Sequence, residues 1–291
     1  MGSRNTSGWK KSIQVCRYLF QNRFWTVNTL MVYILLVVFI SYYIRPIAAY
    51  CLAQKVAVTP WIFPFMSSDY MLQIFMVAGA IFLLADVPFY EENGMYLLYR
   101  TGTVSWQVGT VLYMLVTAVL YVLSIGGIAL LSLADVVQFS SEWGKIFGTL
   151  MQTGVSQETG IPMDFSYTMF RFTPAKATVY SFLLEVACIL WLGCVIYTGN
   201  LLLKHKMGVL IAVVYLFLDA VIANTLPRSI YQYSPLSLSQ LANYNGDLER
   251  EGVTFLYAVL FFSFSFILFI IVIFFTGHMK CKKSGISHVS E

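Results

Sequence analysis

Residues 83–102 read "LLADVPFYEENGMYLLYRTG", a polar, punctuated stretch between two long apolar runs. A plain connector between membrane helices needs only a few polar residues, yet this one carries the marks of a short helix. Asp86 predicts an N-cap, and Pro88 suits a first helical turn. Glu91 and Glu92 then fall near the positive end of the helix dipole. Met95, Tyr96, Leu97, Leu98 and Tyr99 supply an apolar side, and Arg100 closes the stretch. Gly94 weakens the helix by about 1 kcal/mol relative to alanine. The reading is an amphipathic helix of about 86–102, lying on the membrane with an acidic edge turned to water.

The surroundings fix what such a helix connects. Of 291 residues 58% are hydrophobic and only 11% charged, and the mean hydropathy is +0.73. Soluble domains carry roughly a quarter charged residues, so this chain belongs in lipid. A spanning helix needs about 20 mostly apolar residues, and six segments are candidates: 27–44, 70–84, 106–133, 179–203, 207–226 and 253–276. The second is the shortest, with "FPFMSSDY" available to extend it backward. The fold class is an all-α membrane protein of six transmembrane helices. The first apolar run is too long for a signal peptide, and "SYYIRPIAAY" after it is a poor cleavage site.

Lysine and arginine set the orientation. With the N-terminus cytoplasmic, eleven of the 18 basic residues lie inside, among them Lys204 and Lys206 in "LLKHKMG" and Lys280, Lys282 and Lys283 in the tail. Both termini are then cytoplasmic. The layout is an interfacial segment at 1–26, a six-helix membrane domain at 27–276 and a basic tail at 277–291. External segments fall at about 134–178 and 227–252. The first offers a short surface helix beginning at Ser140 or Ser141, and in the second Ser234-Pro235 turns into another. Five scattered cysteines with no CxxC, only Cys51 of them in an external loop, exclude an intrachain disulfide framework. "MGSRNT" fits the loose N-myristoylation pattern.

Within 1–26, Trp9, Ile13, Cys16, Phe20 and Phe24 recur at helical spacing. Lys10, Gln14, Arg17 and Gln21 form the neighbouring polar face. That pattern describes a helix in the membrane interface, or a plain positively charged anchor that sets topology. Two acids lie inside spans, Glu185 and Asp219, each costing about 2.5–3.5 kcal/mol on insertion scales. Each sits about seven residues, or about 10 Å, from the external end of its helix. At matched depth they line one cavity or share a proton; the alternative is separate polar contacts between helices. Asn200 and Asn224 suit helix–helix glue or caps. No GxxxxGK[ST], HExxH or GxSxG motif occurs, and the three histidines are too dispersed for a metal site. Nothing in the chain reads as an enzyme, and a net charge of +4 gives no reason to expect a nucleic-acid partner.

Taken in order, these parts resemble an ABC-2 type permease of bacteria. The resemblance is carried by "DVPFYEENGMYLLYRTGTVSWQVGTVLYM" (86–114), "WGKIFGTL" (143–150), "FTPAKATVYSFLL" (172–184), "GNLLLKHKMG" (199–208) and "YSPLSLSQLAN" (233–243). It implies a dimer, with an identical or a different second permease, enclosing a substrate path in the cell membrane. It also implies separate ABC ATPase subunits beneath, which would bind the ATP and Mg; this chain itself would bind no cofactor. Residues 86–102 would be the coupling helix, with Asp86, Glu91, Glu92 and Arg100 as docking contacts and Tyr96 and Tyr99 as the membrane-side fulcrum. Trp9, Ile13, Arg17, Phe20 and Phe24 would flank that joint, and Glu185 and Asp219 would border the path. The cargo class, exported outward, is a peptide, a lipid or a small toxic compound. The external segment 134–178 is long for this architecture and suits a cap, a recognition surface or a brace. Two other readings compete: a stand-alone ion-coupled transporter or channel using Glu185 and Asp219, and a non-transporting assembly or immunity factor.

Overall fold

The computed structural model describes residues 8–89, 92–153, 155–163, 165, 167–203, 206–225, 228–244 and 253–283. Among these the fold is entirely helical, with isolated bridges at Val58–Val137 and Tyr244–Val253 and no strand. The elements are α1 (Gly8–Leu19), a π-helical turn (Phe20–Phe24), α2 (Val27–Gln54), α3 (Phe63–Ser68), α4 (Tyr70–Leu84), α5 (Glu92–Thr101), α6 (Thr103–Ser132), α7 (Gly144–Gln152), α8 (Val155–Glu158), α9 (Pro174–Leu202), α10 (Met207–Thr225), α11 (Pro235–Ser239) and α12 (Phe255–Lys283).

Among the described residues four helices are long and apolar enough to cross a membrane: Val27–Gln54, Thr103–Ser132, Pro174–Leu202 and Phe255–Thr276. The other two expected spans are helices of the right kind but short. At 1.5 Å per residue, α4 reaches only about 22 Å against a hydrocarbon core of about 30 Å. α3 precedes α4, separated from it by Asp69, whose side chain accepts from Leu72 N at 3.0 Å and so caps α4. α10 is likewise followed by a 3₁₀ turn (Arg228–Tyr233) and then by α11.

The apolar core gathers around α9. Two-thirds of its most apolar window is buried in the protein (67%), against 22% for α2 and 17% for α12. α9 packs against α10, α12, α6, α11, α3 and α4. Its hairpin with α10 is close because both helices present glycine. A side chain on Gly208 would lie 2.2 Å from the Ile196 carbonyl oxygen, and one on Gly199 would lie 2.5 Å from the Gly208 Cα.

The N-terminal helix departs from the expected arrangement. α1 buries Ser12, Val15 and Leu19, a face adjacent to the proposed stripe, and packs it on α6. Gly109 of α6 makes room, since a Cβ there would meet Val15 Cβ at 2.6 Å and the Ser12 carbonyl at 2.8 Å. Trp9 and Ile13 stay exposed and are free to enter lipid. Phe20 stacks on Phe24 at 4.5 Å, and Phe24 is buried. The helix widens to a π turn there before Thr26 caps α2.

Further corrections concern the loops. Cys51 is not in an external loop but buried on the last turn of α2, which runs to Gln54. The short helix expected to begin at Ser140 or Ser141 begins at Gly144. The segment around it is fastened to the stretch between α2 and α3 and to α3 itself. Val58 N donates to Val136 O at 2.9 Å, Gln138 N to Val58 O at 2.8 Å, and Thr59 Oγ1 to Trp143 O at 2.8 Å. Phe65 of α3 meets the rings of Trp143, Phe147 and Phe165 at 5.0–5.2 Å. An open cleft of about 600 Å³ in this segment is lined by residues 141–145 and 170–174, and by neither acid.

Candidate functional site

Two places merit a site's description: the α4–α5–α6 junction at one end of α6, and a buried polar layer between α4, α9, α10 and α11.

At the junction, the helix of the opening stretch is real but starts later than expected. α5 begins at Glu92, and Asp86 and Pro88 lie in the turn before it. Asp86 is therefore not its N-cap. Its carboxylate instead accepts from Lys206 Nζ at 2.7 Å across the α9–α10 turn, an exposed pair contributing about 0–1 kcal/mol. The turn is fastened more firmly from beneath. Asn200 Nδ2 donates to Val87 O at 2.7 Å and Ala85 O at 3.3 Å, while its Oδ1 accepts from Gly208 N at 2.9 Å. Trp106 Nε1 donates to Pro88 O at 3.3 Å, and Phe89 stands edge-on to Tyr113 with the Arg23 guanidinium 5.6 Å from its ring centre.

α5 itself packs on α6 and α1. Leu98 is buried, whereas Tyr96 (73% exposed), Tyr99 (47%) and Arg100 face outward. Gly102 then turns the chain into α6 with φ +85° and ψ 155°, a backbone region open essentially to glycine alone. Glu91 and the side chain of Glu92 lie outside the described residues, as does the side chain of Asn224. Arg17 is exposed on α1.

The polar layer forms around α11, whose sequence "SPLSLS" alternates serine with apolar residues. Ser234 caps the helix, accepting from Ser237 N at 3.4 Å, and Pro235 occupies its first position. All five residues of α11 are buried. The stretch expected as an external surface helix is thus folded into the bundle. A buried turn must meet its own backbone hydrogen bonds, and the residues around it do so. Ser239 Oγ donates to Leu236 O at 2.7 Å, Asn243 Nδ2 to Ser237 O at 2.9 Å, and Tyr244 OH to Leu238 O. Ala242 N reaches Ser68 Oγ of α3 at 3.3 Å, so the two short buried segments support one another. Burial raises the Tyr244 phenol well above the ordinary tyrosine range, which keeps it a donor.

Both acids are tied to this one segment, Asp219 directly and Glu185 through Gln73. Asp219 Oδ1 accepts from Ser237 Oγ at 2.7 Å and also from Ser234 Oγ. Glu185 Oε2 accepts from Gln73 Nε2 at 3.1 Å, and the same amide donates to Ser239 Oγ at 2.6 Å. The acids do not sit at equal distances from their helix ends. α9 starts at Pro174, so Glu185 lies about 16 Å along it, while Asp219 is about 9 Å from the end of α10. Each carboxyl has its own partners, and the link between them runs through α11. Gln73, Ser234, Ser237 and Ser239 were not singled out by sequence; the serine spacing on either side of Pro235 was the available signal.

Protein-family models, curated proteins and solved structures were all compared with this chain, and none matched. The chemistry of the two places therefore stands on its own residues. The junction offers an exposed aromatic and basic face on a helix tied to two others. The layer offers buried carboxyls, amides and hydroxyls joined by hydrogen bonds.

Proposed function

We propose that this chain is the membrane permease subunit of an ATP-driven exporter of the ABC-2 type. It would cross the cell membrane six times with both termini in the cytoplasm, form a dimer with a second permease, and be driven by separate ATPase subunits. The observation that carries this reading is α5. A short helix packs on α1 and α6 with Tyr96, Tyr99 and Arg100 outward, and Gly102 joins it directly to a span-length helix. A push on that outer face has a short mechanical route into α6, and through α6 into α9 and α12, which pack against it.

The buried layer supports the same reading at the far end of the bundle. α3 and α11 are short helices enclosed by protein where α4 and α10 stop short. Irregular backbone at membrane depth is tolerated where it is buried in protein or borders a wet cavity, and discontinuous helices of this kind build transport sites. Glu185 and Asp219 would border the path of a peptide, lipid or small toxic compound. The second reading, ion-coupled transport by this chain alone, is favoured by those same acids.

The test is a mild-detergent pull-down from the native membrane with an assay for bound ATP hydrolysis. An ATPase subunit should co-purify, and reversing the acidic edge (Glu91→Arg with Glu92→Arg) should release it without preventing membrane insertion. A preparation free of ATPase in several detergents, from cells that carry out the transport, would overturn the proposal and leave the ion-coupled reading.

A further inference from the structure

Among the described residues three carboxylic side chains are buried, Asp69, Glu185 and Asp219, and no lysine, arginine or histidine is buried with them. Asp69 is engaged in capping α4, and Asp219 accepts from two serine hydroxyls. Glu185 is served less well. It is fully buried, accepts one amide N–H at Oε2, and leaves Oε1 without a partner. A buried carboxylate so poorly paired is unfavourable unless its charge is neutralised.

The unpartnered atoms around it share one chemistry. Gln73 Oε1 and Ser181 Oγ are also buried without partners. Gln73 is held against Glu185 by its own amide nitrogen, and Ser181 precedes Glu185 by one turn on the same face of α9. Ser239 Oγ, bonded to Gln73 Nε2, completes the surroundings. The site is thus a small, oxygen-rich group of buried side chains around one carboxyl, with no buried basic side chain among the described residues.

We propose that this group of side chains, Glu185, Gln73, Ser181 and Ser239, binds one monovalent cation, either an alkali ion or a proton. The cation neutralises Glu185 and, through Gln73 and Ser239, fixes the position of α11. The other titratable groups packed against this layer are Tyr121 of α6, Cys188 of α9, Asp219 of α10 and Tyr244 beyond α11, with Asp69 at the α3–α4 join; none of them supplies a positive charge. The inference does not depend on an ATPase partner.

The experiment uses the purified full chain in lipid nanodiscs, with radioactive sodium as the probe in choline buffer and infrared spectroscopy for the proton. Saturable sodium binding at one ion per chain, abolished in Glu185→Gln and weakened at least tenfold in Ser181→Ala, assigns an alkali ion. Absence of sodium binding together with a carboxylic-acid carbonyl band lost in Glu185→Gln assigns a proton. Should Glu185→Gln fail to fold, Ser181→Ala decides, because removing that oxygen must weaken sodium binding or move the acid band. No saturable sodium binding, together with no acid band sensitive to either variant, would overturn the proposal.

Discussion

Gln73 and Glu185 stand 112 residues apart in sequence and meet at 3.1 Å in the buried layer, where the Gln73 amide also holds Ser239. One side chain thereby joins α4, α9 and α11. Gln73→Leu should cost about 2–4 kcal/mol, because it strands a buried acid and a hydroxyl at once. Replacing both partners with apolar groups removes the need as well as the donor. The double variant Gln73→Leu with Glu185→Leu should accordingly be more stable than Gln73→Leu alone. Denaturant unfolding in mixed micelles measures both; a double variant no better than the single would contradict the pairing.

Asp219 depends on the two hydroxyls at the start of α11. Ser234→Ala with Ser237→Ala should cost about 3 kcal/mol or more by leaving the carboxyl without donors. Asp219→Asn keeps an accepting oxygen and should cost about 1 kcal/mol. Equal losses for the two changes in the same unfolding assay would show that the serines are not what holds the acid.

Asn200 makes three hydrogen bonds to the backbone of the junction, and its alanine variant loses all of them. The expected loss is about 2–3 kcal/mol. The exposed Lys206–Asp86 pair beside it should yield less than about 1 kcal/mol when Lys206→Ala is measured the same way. The ordering of the two losses is the check.

Glycine tolerance should divide by packing. Gly208→Ala drives a methyl against the Ile196 backbone and is expected to lower stability by about 1–3 kcal/mol or more. Gly148 in α7 has nothing within 4 Å of a built Cβ, so Gly148→Ala should be neutral or stabilising by about 0.5–1 kcal/mol. Thermal unfolding of the pair separates a packing constraint from a general dislike of substitution.

Gly109→Val should push α1 off α6 without removing any spanning helix. Limited trypsin digestion after Lys11 and Arg17 is expected to speed up about tenfold, equivalent to about 1.4 kcal/mol of lost docking. Unchanged digestion would mean that α1 is held by something other than the Val15–Gly109 contact.

What the sequence determined by itself is the local material. Apolar runs specified helices, because in lipid the backbone must bond within its own segment, and the six runs each returned as a helix. The Ser234-Pro235 turn, the short helix after the second apolar run and the glue role of Asn200 were also legible, since capping and turn chemistry act over a few residues. Helix ends were less so. α5 starts at Glu92 rather than Asp86 because Lys206, 120 residues on, and Asn200 claim the preceding turn. The tertiary structure alone decided that α1 docks by Ser12, Val15 and Leu19, that α11 is folded inward, and that Glu185 and Asp219 are joined through it. The physical reason is the same in each case. A hydrogen bond or a packed face between distant segments is a choice among many polar and apolar partners, and only their final placement in space makes that choice.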